Sequence, residues 1–297
     1  MPTKKQLNYF LYEQHKKYIN KNNSDHCEVD MEVNEKQHMG YCSICGEYTN
    51  LSFEHIPPED ALNNKRAKMY SGNEVVKKIK GEEARYVQQQ RGTGKYSLCE
   101  KCNNNTGSWY APAYNLMAKA TAWTLQNRDP LEHGDVLAFS TKSFEPLNFV
   151  KQVITMFCST IPLEQVRRLG FDKNILEKEN NSIDSSLFDL RIYLIDPETV
   201  PFMTGPCTLL LGDIRKNEIE AVSIAELGVY PFGFILNFTP DHPIKYGTSL
   251  VELLGTEYGK KYDFTWKLIH LERSNPKTPL PMQFKSLPDK FYLSQEE

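Results

Sequence analysis

The chain lacks any apolar run approaching the roughly 20 residues that a membrane span requires; its longest are short strand-like stretches such as residues 208–211. An apolar segment is also missing after the basic start Met1-Pro-Thr-Lys-Lys-Gln, so no secretion signal is read there and the cytoplasm is the expected address. Cysteine is scarce: of seven, four fall in two close pairs, while Cys27, Cys158 and Cys207 stand alone. That distribution excludes a disulfide framework and suits metal ligation in a reducing compartment. Repeats and low-complexity tracts are absent. So is a strong charge of either sign, the net charge being −3, which taken whole argues against a nucleic-acid partner.

What is present changes that reading. Residues 1–129 hold 18 Lys and Arg against 15 Asp and Glu, whereas residues 130–297 hold 17 against 23. The basic half also carries both cysteine pairs, Cys42-Ser-Ile-Cys45 and Cys99-Glu-Lys-Cys102. Each short turn delivers two thiolates, and four thiolates fill the tetrahedral sphere of Zn²⁺ with no open position, so the expected ion is structural. Between the pairs stands Phe53-Glu54-His55-Ile56-Pro57-Pro58, and directly after the second pair stands Asn103. A metal knot would therefore bring a carboxylate, an imidazole and an amide oxygen together from distant positions.

The periodicities give an α+β chain. Residues 4–20 read as an amphipathic helix and residues 20–37 as a loop. Residues 51–56 alternate as a short strand stopped by the prolines, residues 59–95 form a long insertion, part helical over 75–79 and closed by the flexible segment Arg91 to Lys95, and residues 96–98 enter the second pair as a strand. A helix running from Asn103 to about Gln126 follows, with Tyr110, Tyr114, Met117, Ala118, Thr121, Ala122 and Leu125 on its apolar face. Trp109 and Tyr110 are read as core in preference to base-stacking groups. Asn127 to Pro130 marks a domain boundary. Beyond it, residues 147–160 read as a buried helix holding Cys158 as a small apolar group, residues 163–170 as a shorter helix, and residues 190–195, 208–214, 218–224, 232–238 and 264–271 as strands of a mainly antiparallel sheet.

The segments from Cys42 to Cys45, from Glu54 to Pro58 and from Leu98 to Gly107 together resemble the HNH family of nucleases, in the variant stapled by four cysteines. The resemblance covers about residues 40–125. Together with the residue patterns on either side it gives three regions: an N-terminal helix and loop (1–39), a ββα-metal nuclease domain (40–129) and a mixed α/β domain of unassigned role (130–297). It implies His55 as the general base, and Glu54 and Asn103 as oxygen ligands of a catalytic Mg²⁺ or Mn²⁺. Cys42, Cys45, Cys99 and Cys102 would hold the structural Zn²⁺. The family's middle asparagine would fall near Gly92 to Lys95, where this chain has none, and a backbone carbonyl of that loop is the expected substitute.

On this reading the protein is a metal-dependent endonuclease that hydrolyses DNA phosphodiesters to 5′-phosphate and 3′-hydroxyl ends, in the role of a phage-defence or restriction-like effector. Arg91, Lys95 and Lys101 are the candidates for phosphate contact. The C-terminal region is open to a second copy or a regulatory partner. Two alternatives stand beside it: a non-catalytic zinc module that binds nucleic acid or protein, and an RNase using the same residues.

Overall fold

The computed structural model describes residues 38–271, apart from residues 72, 75, 76, 78, 79, 198, 200, 214–217, 243 and 245. The helix expected over residues 4–20, the loop after it and Cys27 lie outside the described residues, as does most of the helical turn expected over residues 75–79. Strand β1 (Met39–Tyr41) pairs antiparallel with β2 (Tyr48–His55) across the turn that holds Cys42 and Cys45. In the insertion that follows, β3 (Ala67–Met69) and β4 (Val87–Gln89) form a small hairpin. The chain then returns as β5 (Gly94–Cys99), antiparallel to β2, completing a sheet of order β1-β2-β5.

Helix α1 (Glu100–Trp109) starts three residues earlier than the sequence suggests, because Cys99 serves as its N-cap. The expected single helix to Gln126 is two. Tyr110 leaves helical register at φ −118°, ψ −36°, and α2 (Ala111–Gln126) begins there with a proline in its first turn. Pro112 has no N–H to donate, so it fits a helix start but would break a continuous helix. The buried face of α2 is the expected one, with Tyr114, Met117, Ala118, Thr121 and Ala122 turned inward.

Strand β6 (Val136–Phe144) has no counterpart among the expected strands. Its burial alternates from Val136 to Lys142, but the residue types do not, since Val136 to Phe139 are all apolar and Ser140 to Ser143 all polar. Helix α3 (Pro146–Cys158) is buried on every side, as its apolar run requires. Its one amine, Lys151, is satisfied by the carbonyls of Asn174, Glu177 and Lys178 at 2.9, 2.9 and 3.0 Å. These lie at the end of α5 (Phe171–Leu176), which follows α4 (Leu163–Arg168). The lysine thus caps carbonyls that the short helix cannot satisfy itself.

The remaining strands are β7 (Asp189–Leu194), β8 (Phe202–Asp213), β9 (Glu218–Val229), β10 (Phe232–Asn237), β11 (Thr248–Ser249) and β12 (Tyr262–Ile269). Five of them make a sheet of order β11-β7-β10-β9-β8, while β12 pairs with β6. Every strand pair among the described residues is antiparallel. β10 is central and wholly buried: Phe232, Phe234 and Leu236 face the helices, and Ile235 joins a smaller cluster on the other face with Tyr193, Val222 and Ile224. The main core runs without interruption from Cys42 and Leu98 through Tyr114 and Phe149, stacked at 5.6 Å, to Phe232 and Trp266. No helix among the described residues is long and apolar enough to cross a membrane.

Candidate metal centre and active site

The four cysteines meet where β1 turns into β2 and β5 turns into α1. Gly46 takes φ +76° to close the first turn, with its N–H on the Cys42 carbonyl at 2.9 Å. The second pair is tied to the first by a bulge in β5: Ser52 pairs with Leu98 but Phe53 with Tyr96, so Ser97 is the extra residue. Its carbonyl accepts the Ser43 N–H at 2.8 Å, and its hydroxyl donates to Ser159 at 2.9 Å. The outcome is a cluster of four Sγ atoms all within 4.8 Å of one another, with Cys45 and Cys99 at 3.8 Å.

Tetrahedral thiolates at a Zn–S distance of about 2.3 Å stand about 3.8 Å apart, so this cluster has the dimensions of a zinc site. It also has the chemistry of one. Without a cation the thiolates cannot coexist: Cys42 is held well below the usual thiol range by the bond from Cys102, and Cys102 is pushed up by Cys42 and by burial. The Cys99 sulfur further accepts the Cys102 N–H at 3.4 Å, placing negative charge at the positive end of α1. Cys158 and Cys207, by contrast, lie in α3 and β8, outside the cluster.

Side chains alternate along β2, and α1 covers one of its faces. Asn103 on α1 donates through its amide to the Ser52 hydroxyl and the Phe53 carbonyl, both at 3.0 Å. With both donors committed, its carboxamide oxygen has no partner among the described residues. Glu54 follows Phe53 and shares the Ser52 face. Only 5% of it is exposed, its carboxylate makes no hydrogen bond or ion pair to a described residue, and burial pushes its pKa up to about 8. Glu54 and Asn103 thus offer oxygen donors, unclaimed by described residues, on the face of β2 that α1 covers, and such donors suit a hard divalent cation with water completing its sphere.

His55 is placed differently. Pairing continues through His55 and Gly94 and on to Ile56, whose N–H meets the Thr93 carbonyl at 2.9 Å. The prolines therefore do not turn Glu54 and His55 to one face. The imidazole lies edge-on to Phe53 at 5.0 Å, and its Nε2 is buried with no hydrogen-bond partner. No backbone carbonyl from Gly92 to Lys95 holds it.

That loop acts on the backbone beside His55 instead, through a residue the sequence did not single out. Asn63, 5% exposed, donates to the carbonyls of Pro57 and Thr93 at 2.6 and 2.8 Å and accepts the Thr93 N–H at 2.7 Å. Thr93 in turn donates through its hydroxyl to the Ile56 carbonyl at 2.6 Å. Leu62, just before Asn63, is driven to φ 68°, a strained value for a branched side chain that these bonds offset. The segment expected to be flexible is buried from Gly92 to Gly94. Arg91, Lys95 and Lys101 are exposed and form no ion pair with a described residue; Lys95 lies opposite Glu54 in the register. Tyr110 is core, its hydroxyl on the Ile175 carbonyl at 2.8 Å, and Trp109 packs half-buried against it.

No protein-family model, curated protein or solved structure matches this chain.

Proposed function

We propose that the chain is a zinc-stapled HNH-type endonuclease that hydrolyses DNA phosphodiesters with a divalent cation, Mg²⁺ or Mn²⁺, held by Glu54 and Asn103. The observation that carries this reading is Glu54, 5% exposed and without a hydrogen bond to a described residue, on the face of β2 that Asn103 of α1 covers. Such an acid calls for a partner that the described residues do not supply, an ordered water or an ion. When bound, the cation supplies charge neutralisation at the scissile phosphate and the leaving oxygen. His55 does the proton work: its Nε2, which has no hydrogen-bond partner, accepts a proton from the attacking water. A phosphodiester lying across the end of the β2–β5 hairpin meets Glu54 and Asn103 from one face and His55 from the other. Asn63 positions the turn beyond His55, and Arg91, Lys95 and Lys101 supply phosphate contacts.

A non-catalytic zinc-stapled binding module is the second reading, favoured by the missing hydrogen bond to His55. Supercoiled plasmid incubated with Mg²⁺ or Mn²⁺ separates the two. Wild type is expected to nick or linearise it, and His55→Ala to lose at least about a hundredfold in rate with zinc content and DNA binding unchanged. Equal behaviour of the two proteins would leave only the binding module. A parallel incubation with RNA decides which nucleic acid is cut. A cytoplasmic defence or restriction role is the biological setting proposed for this activity.

A further inference from the structure

Four rings form a row on the face of the β2–β5 hairpin turned away from α1, and the row ends at His55. His38 lies flat on Tyr96 with centroids 3.4 Å apart and planes 14° apart. Tyr96 meets Phe53 edge-on at 5.4 Å, and Phe53 meets His55 edge-on at 5.0 Å. Strand register produces the row: Phe53 pairs with Tyr96 and His55 with Gly94, so these side chains leave the sheet on one side. His38 joins them because its carbonyl takes the Leu51 N–H at 2.9 Å, extending the β1–β2 pairing. Gly94, opposite His55, contributes no side chain, so nothing from β5 stands between the Tyr96 ring and the imidazole.

The row is not a piece of the core. Tyr96 is 44% exposed, the other three rings are half-buried, and the Tyr96 hydroxyl bonds to no described residue. On the loop that follows the row, Arg91 is exposed and forms no ion pair with a described residue, whereas Lys95, opposite Glu54, leaves the sheet on the other face. An exposed ring with an unpaired cation near it is what a single nucleic-acid strand uses, a base stacking on the ring while a phosphate meets the charge. Closed duplex cannot use them, because both faces of each base are already covered by its neighbours.

Resting on the endonuclease reading, we infer that the row from His38 to His55 is a stacking platform for an unpaired nucleobase, so that the strand delivered to His55 is single-stranded or locally unwound DNA. Fluorescence anisotropy tests it with the full chain, zinc in place and Ca²⁺ replacing Mg²⁺ or Mn²⁺, on a labelled single-stranded oligonucleotide and on its duplex. Wild type is expected to bind the single strand more tightly than the duplex. Tyr96→Leu, which keeps an apolar strand residue but removes the π face, is expected to weaken single-strand binding about tenfold or more and to leave duplex binding unchanged. Tyr96→Phe is expected to bind as wild type does. Equal affinity of wild type for both forms, or a Tyr96→Leu variant of unaltered zinc content that binds the single strand normally, overturns the inference. Cleavage is scored separately: Tyr96-dependent binding without metal-dependent cutting would remove the hydrolase and keep the platform, while duplex cutting indifferent to Tyr96 would do the reverse.

Discussion

Burying an unbonded carboxylate gives Glu54 a pH dependence that a cation cancels. Its pKa is raised to about 8 by burial, whereas an unfolded glutamate titrates near about 4.3. The folded state therefore binds this proton more tightly, and the stabilisation it brings is complete below the ordinary carboxylate range and lost as pH rises through about 8. In buffer free of Mg²⁺ and Mn²⁺, wild type is expected to lose on the order of 3 kcal/mol of stability between about pH 6 and about pH 9 relative to Glu54→Gln. Mn²⁺ is expected to close that gap in wild type and to leave the variant's melting temperature unmoved. Parallel melting profiles for the two proteins, with or without Mn²⁺, would show that no cation completes this acid. Asn63 carries a second expectation. Asn63→Ala leaves the Pro57 carbonyl and the Thr93 N–H without their partner, while the Thr93 carbonyl keeps the Ile56 N–H, and should cost about 3 kcal/mol in urea denaturation. The four cysteines were legible because metal chemistry fixes both residue type and short spacing. Asn63 was not, because its role consists mainly of contacts to Thr93, which lies far off in sequence, and asparagine in a polar loop carries no signal of its own.

Between elements, the decisive feature is how closely β5 lies on β2. A Cβ added at Gly94 would stand 2.1 Å from the Glu54 carbonyl oxygen and 2.8 Å from the Phe53 ring, whereas one added at Gly107 meets nothing within 4 Å. Gly94→Ala is expected to force the hairpin apart at Glu54 and His55, costing about 3 kcal/mol or more and abolishing DNA cleavage. Gly107→Ala, on an open side of α1, should instead raise stability by up to about 1 kcal/mol. Matching melting temperatures for the two variants would mean that the close approach does not constrain the site. The same contact explains why the segment from Arg91 to Lys95 was read as flexible: glycines that loosen a chain in isolation here admit a neighbouring backbone. Strand and helix periods were readable where one face is buried. They failed at the Tyr110 break, where Pro112 interrupts a continuous apolar stripe, and along β6, where apolar residues fill both faces from Val136 to Phe139 and polar ones both faces from Ser140 to Ser143.

Across the whole molecule, the sequence suggests a boundary at residues 129–130 because the helix pattern ends there and charge changes sign. It does not reveal that Tyr114 before the boundary stacks on Phe149 after it, or that Cys42, Cys99 and Cys102 sit in the same apolar cluster as the helices and β10. Such packing depends on which faces meet in space, and no local period encodes it. Its consequence is that the metal centre and the large sheet should lose structure together. Structural zinc contributes on the order of 10 kcal/mol in small modules, and a continuous core has no seam at which that loss could be contained. Differential scanning calorimetry of the full chain is therefore expected to show residues on both sides of the boundary melting in one transition, which moves to lower temperature as a whole when zinc is chelated or Cys99 is replaced by Ser. A second transition that keeps its midpoint while the first moves would mean that the sheet folds independently of the four thiolates, and that the cluster joining Tyr114 to Phe149 contributes little to cooperativity.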